Sequence, residues 1–136
     1  MKLLMFYARE FWFSPYEKVL EGVDDARKGQ GFEDAAVIFY QGESQDQENR
    51  SGVLKKFLKN VKWFARKFST EKVVLHSFNH LSSSKAEPLF VQALVGEVEE
   101  RLKNVGFSVA KTPYGYLNEW KIHVPGQSLA RVFKEF

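Results

Sequence analysis

Apolar positions crowd the start of the chain. Lys2-Leu-Leu-Met-Phe-Tyr-Ala-Arg-Glu-Phe-Trp-Phe13 reads as a strand with an irregularity where Arg9 and Glu10 interrupt the run, and Ser14-Pro15 reads as its end. Residues 16–30 are polar with scattered Gly and read as a solvated loop. Ala35-Ala-Val-Ile-Phe-Tyr40 reads as a second, buried strand, followed by a polar loop from Gly42 to Gly52. The period then becomes helical. Val53, Leu54, Phe57, Leu58, Val61, Phe64, Ala65 and Phe68 fall on one face of a helix over 51–68. Residues 73–78 predict a third strand, and 87–104 a second helix with Phe90, Val91, Leu94, Val95, Val98 and Leu102 inward and Gly106 just past its end. A short strand over 107–111, a tight aromatic turn over 113–116, a strand over 120–124 and a last strand or short helix over 128–135 complete the pattern. The expected fold class is α+β, or mixed α/β, as one domain over 1–136 with a sheet packed on two main helices.

A chain of 136 residues with 44% hydrophobic and 27% charged positions suits one globular domain. No apolar run is long enough to cross a bilayer. Met1 to Tyr7 resembles the start of a signal peptide, but Arg9 and Glu10 break it and no small-residue cleavage site follows, so a cytoplasmic location is expected. With no cysteine, disulfides, thiolate catalysis and cysteine-ligated zinc are excluded. The net charge of +3 permits contact with nucleic acid without arguing for it. Lys55, Lys56, Lys59, Lys62, Arg66 and Lys67 cover the outer side of the first helix, serving either solubility or the steering of an RNA backbone.

The candidate chemistry gathers around Val73-Val-Leu-His-Ser-Phe-Asn-His-Leu-Ser-Ser-Ser-Lys-Ala-Glu-Pro88, where an apolar strand meets a polar turn and then a helix N-terminus. Unpaired first-turn N–H groups at such a junction suit a small anion or a nucleotide, and equally a plain structural turn. Among the three histidines, His76 lies inside the apolar strand and reads as core, and His123 reads as structural or solvent-facing. His80 falls where the strand ends, the position that favours function. Ser82, Ser83 and Ser84 lack a nucleophile elbow and read better as helix caps. No phosphate-binding loop, dinucleotide fingerprint or His-Glu-x-x-His pattern is present.

Two segments carry a resemblance. Phe78-Asn-His-Leu-Ser-Ser83 with Lys85-Ala-Glu-Pro88, and Lys111-Thr-Pro-Tyr-Gly-Tyr116 some thirty residues later, resemble in order and spacing the archaeal threonyl-tRNA synthetase N-terminal editing domain. The resemblance implies a D-aminoacyl-tRNA deacylase-like fold, usually a homodimer, that hydrolyses the ester of seryl-tRNA made in error and needs no metal or cofactor. It implies reliance on backbone groups and on the terminal adenosine's own hydroxyl, and it places His80, Asn118 and Tyr116 as catalytic. Phe78, Asn79, Ser82, Tyr114, Gly115, Leu117, Gly42 and Arg131 are then expected against the aminoacylated tRNA 3′ end.

The chain departs from that family pattern at four places. Asn79 stands for Ala, Tyr114 for Phe, Leu117-Asn118 for Tyr-Lys, and Arg131 for a Glu. Losing Lys and Glu removes a charge pair that would hold a substrate amine or order water. An inward Arg131 would repel a protonated amine. Three readings stay open. One is an editing hydrolase, freestanding or working with a synthetase body in cis or in trans. A second is a tRNA 3′-end-binding module without the chemistry. The last is a D-aminoacyl-tRNA deacylase or small-molecule hydrolase on the same fold.

Overall fold

The computed structural model describes all 136 residues. Its elements are β1 (Lys2–Lys18), β2 (Gln30–Gln41), a 3-10 turn (Ser44–Glu48), α1 (Arg50–Lys67), β3 (Lys72–Ser77), α2 (Pro88–Asn104), β4 (Ser108–Lys111), β5 (Tyr116–His123), a second 3-10 turn (Ser128–Ala130) and β6 (Arg131–Glu135). They form one mixed sheet in the order β4-β3-β2-β1-β5, with β6 also on β1. β1 is antiparallel to β2, β5 and β6, whereas β2, β3 and β4 run parallel. This is the α+β class that the apolar pattern predicts.

β1 organises the sheet. One edge pairs with β2 from Lys2 to Phe13, and the other pairs with β6 over Lys2–Phe6 and with β5 over Glu10–Lys18. The expected irregularity at Arg9-Glu10 is real. Buried positions are odd-numbered and helix-facing at Leu3 and Met5, and the opposite face takes Ala8 and then Phe11 and Phe13, so the parity of that face switches there. Opposite the switch, Asp34 adopts φ 51°, a left-handed conformation that Asp tolerates better than most residues.

Several expectations are corrected by the pairing. Ser14-Pro15 does not end β1. The strand continues to Lys18 through a register shift between Pro15 and Glu17, beyond the end of its β2 pairing, where a proline costs no ladder bond to that neighbour. β2 begins at Gln30, and the polar loop after Gly42 contains a 3-10 turn. The end of the chain holds both a short helical turn and a strand.

α1 and α2 cover one face of the sheet. The α1 stripe from Val53 to Ala65 and the α2 stripe from Val91 to Leu102 bury against Met1, Leu3, Met5, Ala36, Ile38, Tyr40, Val73 and Leu75. Asn49 caps α1 by accepting the Gly52 N–H at 3.3 Å. The second face carries Phe11, Phe13, Val37, Phe39 and Val74. β5 curls back over it, so that Trp120 meets Phe39 edge-on at 5.4 Å between ring centres. No helix is long and apolar enough to cross a membrane.

Candidate functional site

The C-terminal end of β3 and the turn entering β5 face each other across a cleft of about 420 Å³. One wall is His76 to His80 with Pro88, the other is Tyr114 to Asn118 with Trp120, and Val19 and Leu20 close a third side. The two segments singled out in the sequence therefore meet, although some thirty residues separate them. Each is positioned by the sheet. Phe78 N–H donates to the Tyr40 carbonyl at 2.9 Å, extending the β2–β3 edge into the wall. Gly115, with φ 78°, accepts the Val19 and Leu20 N–H groups at 2.8 and 3.2 Å, and a Cβ there would lie 2.8 Å from Leu20 Cβ.

Eight of the expected site residues line this cleft: Phe78, Asn79, His80, Tyr114, Gly115, Tyr116, Leu117 and Asn118. Their states differ. His80 is exposed, with its ring 5.0 Å from that of Phe78. Tyr116 accepts the Ala26 N–H on its hydroxyl at 2.9 Å, so this oxygen already anchors the loop between β1 and β2. Burial raises the pKa of the half-buried Tyr114 hydroxyl, keeping it a neutral donor. Asn118 makes one long amide contact, Nδ2 to the Tyr116 carbonyl at 3.4 Å, and its Oδ1 is buried without any hydrogen-bond partner. A buried acceptor left unpaired is costly, and it is the one polar side-chain atom in the protein in that state.

Three expected residues lie elsewhere. The Arg131 guanidinium folds back on the carbonyls of Gln127 and Pro125, at 3.3 and 3.0 Å, and does not enter the cleft. Gly42 is a packing position: a Cβ would sit 2.8 Å from Val91 Cγ2, so only glycine lets α2 approach the end of β2. The serines do not cap α2, which starts later, at Pro88. Instead Ser82 Oγ donates to Glu43 at 2.7 Å, and Ser84 Oγ accepts the Ser44 N–H at 3.0 Å, stapling the loop after β3 to the residues following β2. Gln41 completes the staple. Its Oε1 accepts the N–H groups of Leu81 and Ser82, and its Nε2 donates to the carbonyls of Ser82 and Ser84.

Behind the staple lies a buried ion cluster. The Met1 ammonium sits 2.8 Å from both Glu43 and Asp46, and Asp46 also accepts the Glu43 N–H at 2.7 Å. Burial works to raise the Glu43 pKa, but the ammonium and the Ser82 hydroxyl outweigh it and hold the carboxyl below its ordinary value.

Three contributors were not singled out in the sequence as site residues. His76 lines the cleft floor, yet it is buried, and desolvation takes its pKa down to about 4, so the ring is neutral and bonds Thr112 Oγ1 at 2.9 Å. Trp120 supplies an indole, and Val19-Leu20, an apolar pair inside a polar stretch, was the signal of a third wall. The lining contains no Asp, Glu, Lys or Arg. No group of three His, Cys, Asp or Glu side chains is arranged to hold a metal ion. What remains is four aromatic side chains suited to stacking a base, amide groups suited to fixing a small polar group, and one exposed imidazole.

Comparison with known proteins gives the family and the fold. A family model described as the Archaea-specific editing domain of threonyl-tRNA synthetase matches residues 1–136. Among curated proteins, the threonine–tRNA ligase of Thermococcus onnurineus is 29% identical over 135 residues, covering 97% of this chain and 22% of that protein. The Methanobrevibacter smithii ligase is 28% identical over 134 residues with the same coverage of both, 97% and 22%. The chain thus spans about a fifth of the length of these relatives. Among solved structures, the c-Myc DNA Unwinding Element Binding Protein superposes with a TM-score of 0.68 at 9% identity, over 100% of this chain and 99% of that one, which establishes a shared fold. The chain belongs to the family of archaeal threonyl-tRNA synthetase editing domains.

Proposed function

We propose that this protein hydrolyses the ester of mischarged tRNA, foremost seryl-tRNA(Thr), with the aminoacylated 3′ end seated in the cleft between His80 and Asn118. The observation that carries the reading is the meeting of the two family-like segments around one cleft that holds an unpaired buried acceptor, Asn118 Oδ1. Phe78, Tyr114, Tyr116 and Trp120 would stack the terminal adenine, and Asn118 Oδ1 would accept a hydrogen bond from the substrate ammonium or the serine hydroxyl.

The cleft has no carboxylate or lysine to act as base, and an aminoacyl ester needs little activation. Water held against the carbonyl carbon, with the vicinal ribose hydroxyl of the substrate assisting, attacks as the ester C–O bond breaks. The water proton passes to the departing ribose oxygen, leaving free serine and an intact tRNA. Positioning and backbone hydrogen bonds to the developing oxyanion would supply the acceleration. Such a second site serves translation in the cytoplasm, because a pocket built for threonine rejects the smaller serine only weakly.

Deacylation of seryl-, threonyl- and D-aminoacyl-tRNA tests this. Release of serine with threonine retained is expected, while release confined to D-amino acids would transfer the activity to the deacylase class. The charge-free lining favours one rival, a 3′-end-binding module without turnover, for which charged tRNA would bind and survive. A homodimer, working with a synthetase body in cis or in trans, belongs to the same proposal. Sedimentation of the isolated protein checks the first part, and stimulation of editing by added synthetase checks the second.

A further inference from the structure

α1 contains no Asp or Glu, but it carries Arg50, Lys55, Lys56, Lys59, Lys62, Arg66 and Lys67. Near its C-terminal end, Lys59, Lys62, Trp63, Arg66 and Lys67 surround a shallow depression of about 610 Å³. Trp63 stands at its centre, 42% exposed, with Lys67 Nζ and Lys134 Nζ 5.6 and 5.4 Å from its ring centre. None of the cations lining the depression, nor Lys134, has a carboxylate within 4.0 Å. On the neighbouring faces of the two helices, Arg50, Arg101, Lys103 and Lys111 pair with Glu97 or Glu99, whereas Lys55 and Lys56 extend the unpaired run along α1.

A surface kept only for solubility mixes its signs, as the outer face of α2 does. Here like charges are gathered without counter-charge around an exposed indole. That combination costs free energy in the isolated protein and suits a polyanion that also presents flat, stackable rings. The depression shares no residue with the lining of the cleft: the last turn of α1 leads into the start of β3, whereas the cleft lies at the other end of that strand.

We propose that the Trp63 patch is a second tRNA contact, one that grips the phosphate backbone of the base-paired stem while the single-stranded 3′ end reaches the cleft. Lys59, Lys62, Arg66 and Lys67 neutralise phosphates, and Trp63 packs on a ribose or an exposed base. This assignment rests on the proposed function for the identity of the RNA, and it adds a surface that sets affinity without touching the scissile ester.

The test compares the wild type with a Lys59→Gln/Lys62→Gln/Arg66→Gln variant and with Trp63→Ala, each shown by thermal melting to fold. Binding of uncharged tRNA is measured from 50 to 300 mM salt, alongside hydrolysis of seryl-tRNA and of a short seryl-ester trinucleotide ending in CCA. The triple variant should bind tRNA at least tenfold more weakly, with a log–log salt slope shallower by about 2 to 3. Its turnover of the short ester should be unchanged. Trp63→Ala should weaken binding and leave the salt slope in place.

Wild-type affinity and slope in the triple variant would overturn the patch while leaving the editing proposal intact. So would equal loss on the short ester, or capture of phosphatidylserine vesicles that the triple substitution abolishes while tRNA binding persists. Patch-dependent tRNA binding by a protein that hydrolyses neither ester would overturn the editing proposal and support the patch.

Discussion

Asn118 joins stability and function in one atom. Its Oδ1 is buried without a partner, so Asn118→Leu removes an unsatisfied acceptor and gives up only the long Nδ2 contact to the Tyr116 carbonyl. The melting temperature should hold or rise. Deacylation should fall by about 10- to 100-fold, the equivalent of one hydrogen bond to a charged group. A parallel fall in both quantities would show that Asn118 only supports the fold. His76 makes an opposite kind of statement. Its folded pKa, about 4, lies below the ordinary value of 6.5, so between those limits the unfolded chain binds more protons than the folded one. Stability is therefore complete above pH 6.5 and drains as the pH falls toward 4, by up to about 1.4 kcal/mol per unit. Urea titrations across that range should show the slope, and His76→Gln should flatten it.

At the scale of elements, the loop after β3 is held by the last residue of β2 and its near successors, because Gln41, Glu43 and Ser44 supply the partners for residues 81–84. The Met1–Glu43–Asp46 cluster lies behind those contacts. Asp46→Asn would leave the buried ammonium one carboxylate short and should lower unfolding free energy by about 3 kcal/mol in urea titration. Glu43 adds a pH dependence of its own. With its folded pKa depressed, its contribution is present above the ordinary carboxylate range and is lost as the pH falls through the lowered value.

These elements also mark how far the sequence could be read. Helix periods are local, so the buried faces of α1 and α2 were legible position by position. Gly42 was expected against the tRNA 3′ end, but what it makes room for is Val91, on a distant element. The serines looked like caps because nothing in the chain announces Glu43 as a partner some forty residues away. Arg131 aligned where the family carries a Glu and was expected at the cleft, and the carbonyls of Pro125 and Gln127 decided where its guanidinium went. Pro15 reads as a strand end until β5 is known to pair across it. Local signals carried the elements, the family resemblance joined the two cleft walls, and long-range partners settled the rest.

For the whole molecule, the decisive feature is that β1 is shared. Three strands lie along it, and the two on its outer edge, β5 and β6, come from residues 116–135. On the ribosome, β1 emerges about a hundred residues before β5 and β6, and must wait for them before that edge is covered. During this interval Phe11, Trp12 and Phe13 sit on a strand paired with β2 on one edge and open on the other, the kind of template that recruits other nascent chains. A fragment ending before Tyr116 should therefore aggregate when expressed at levels where the full chain stays in solution, as sedimentation of the two lysates would show. Pauses in translation beyond residue 104, with both helices already made, would prolong the exposure. The synonymous codons for residues 105–135 then become a determinant of yield, although they change nothing in the folded protein.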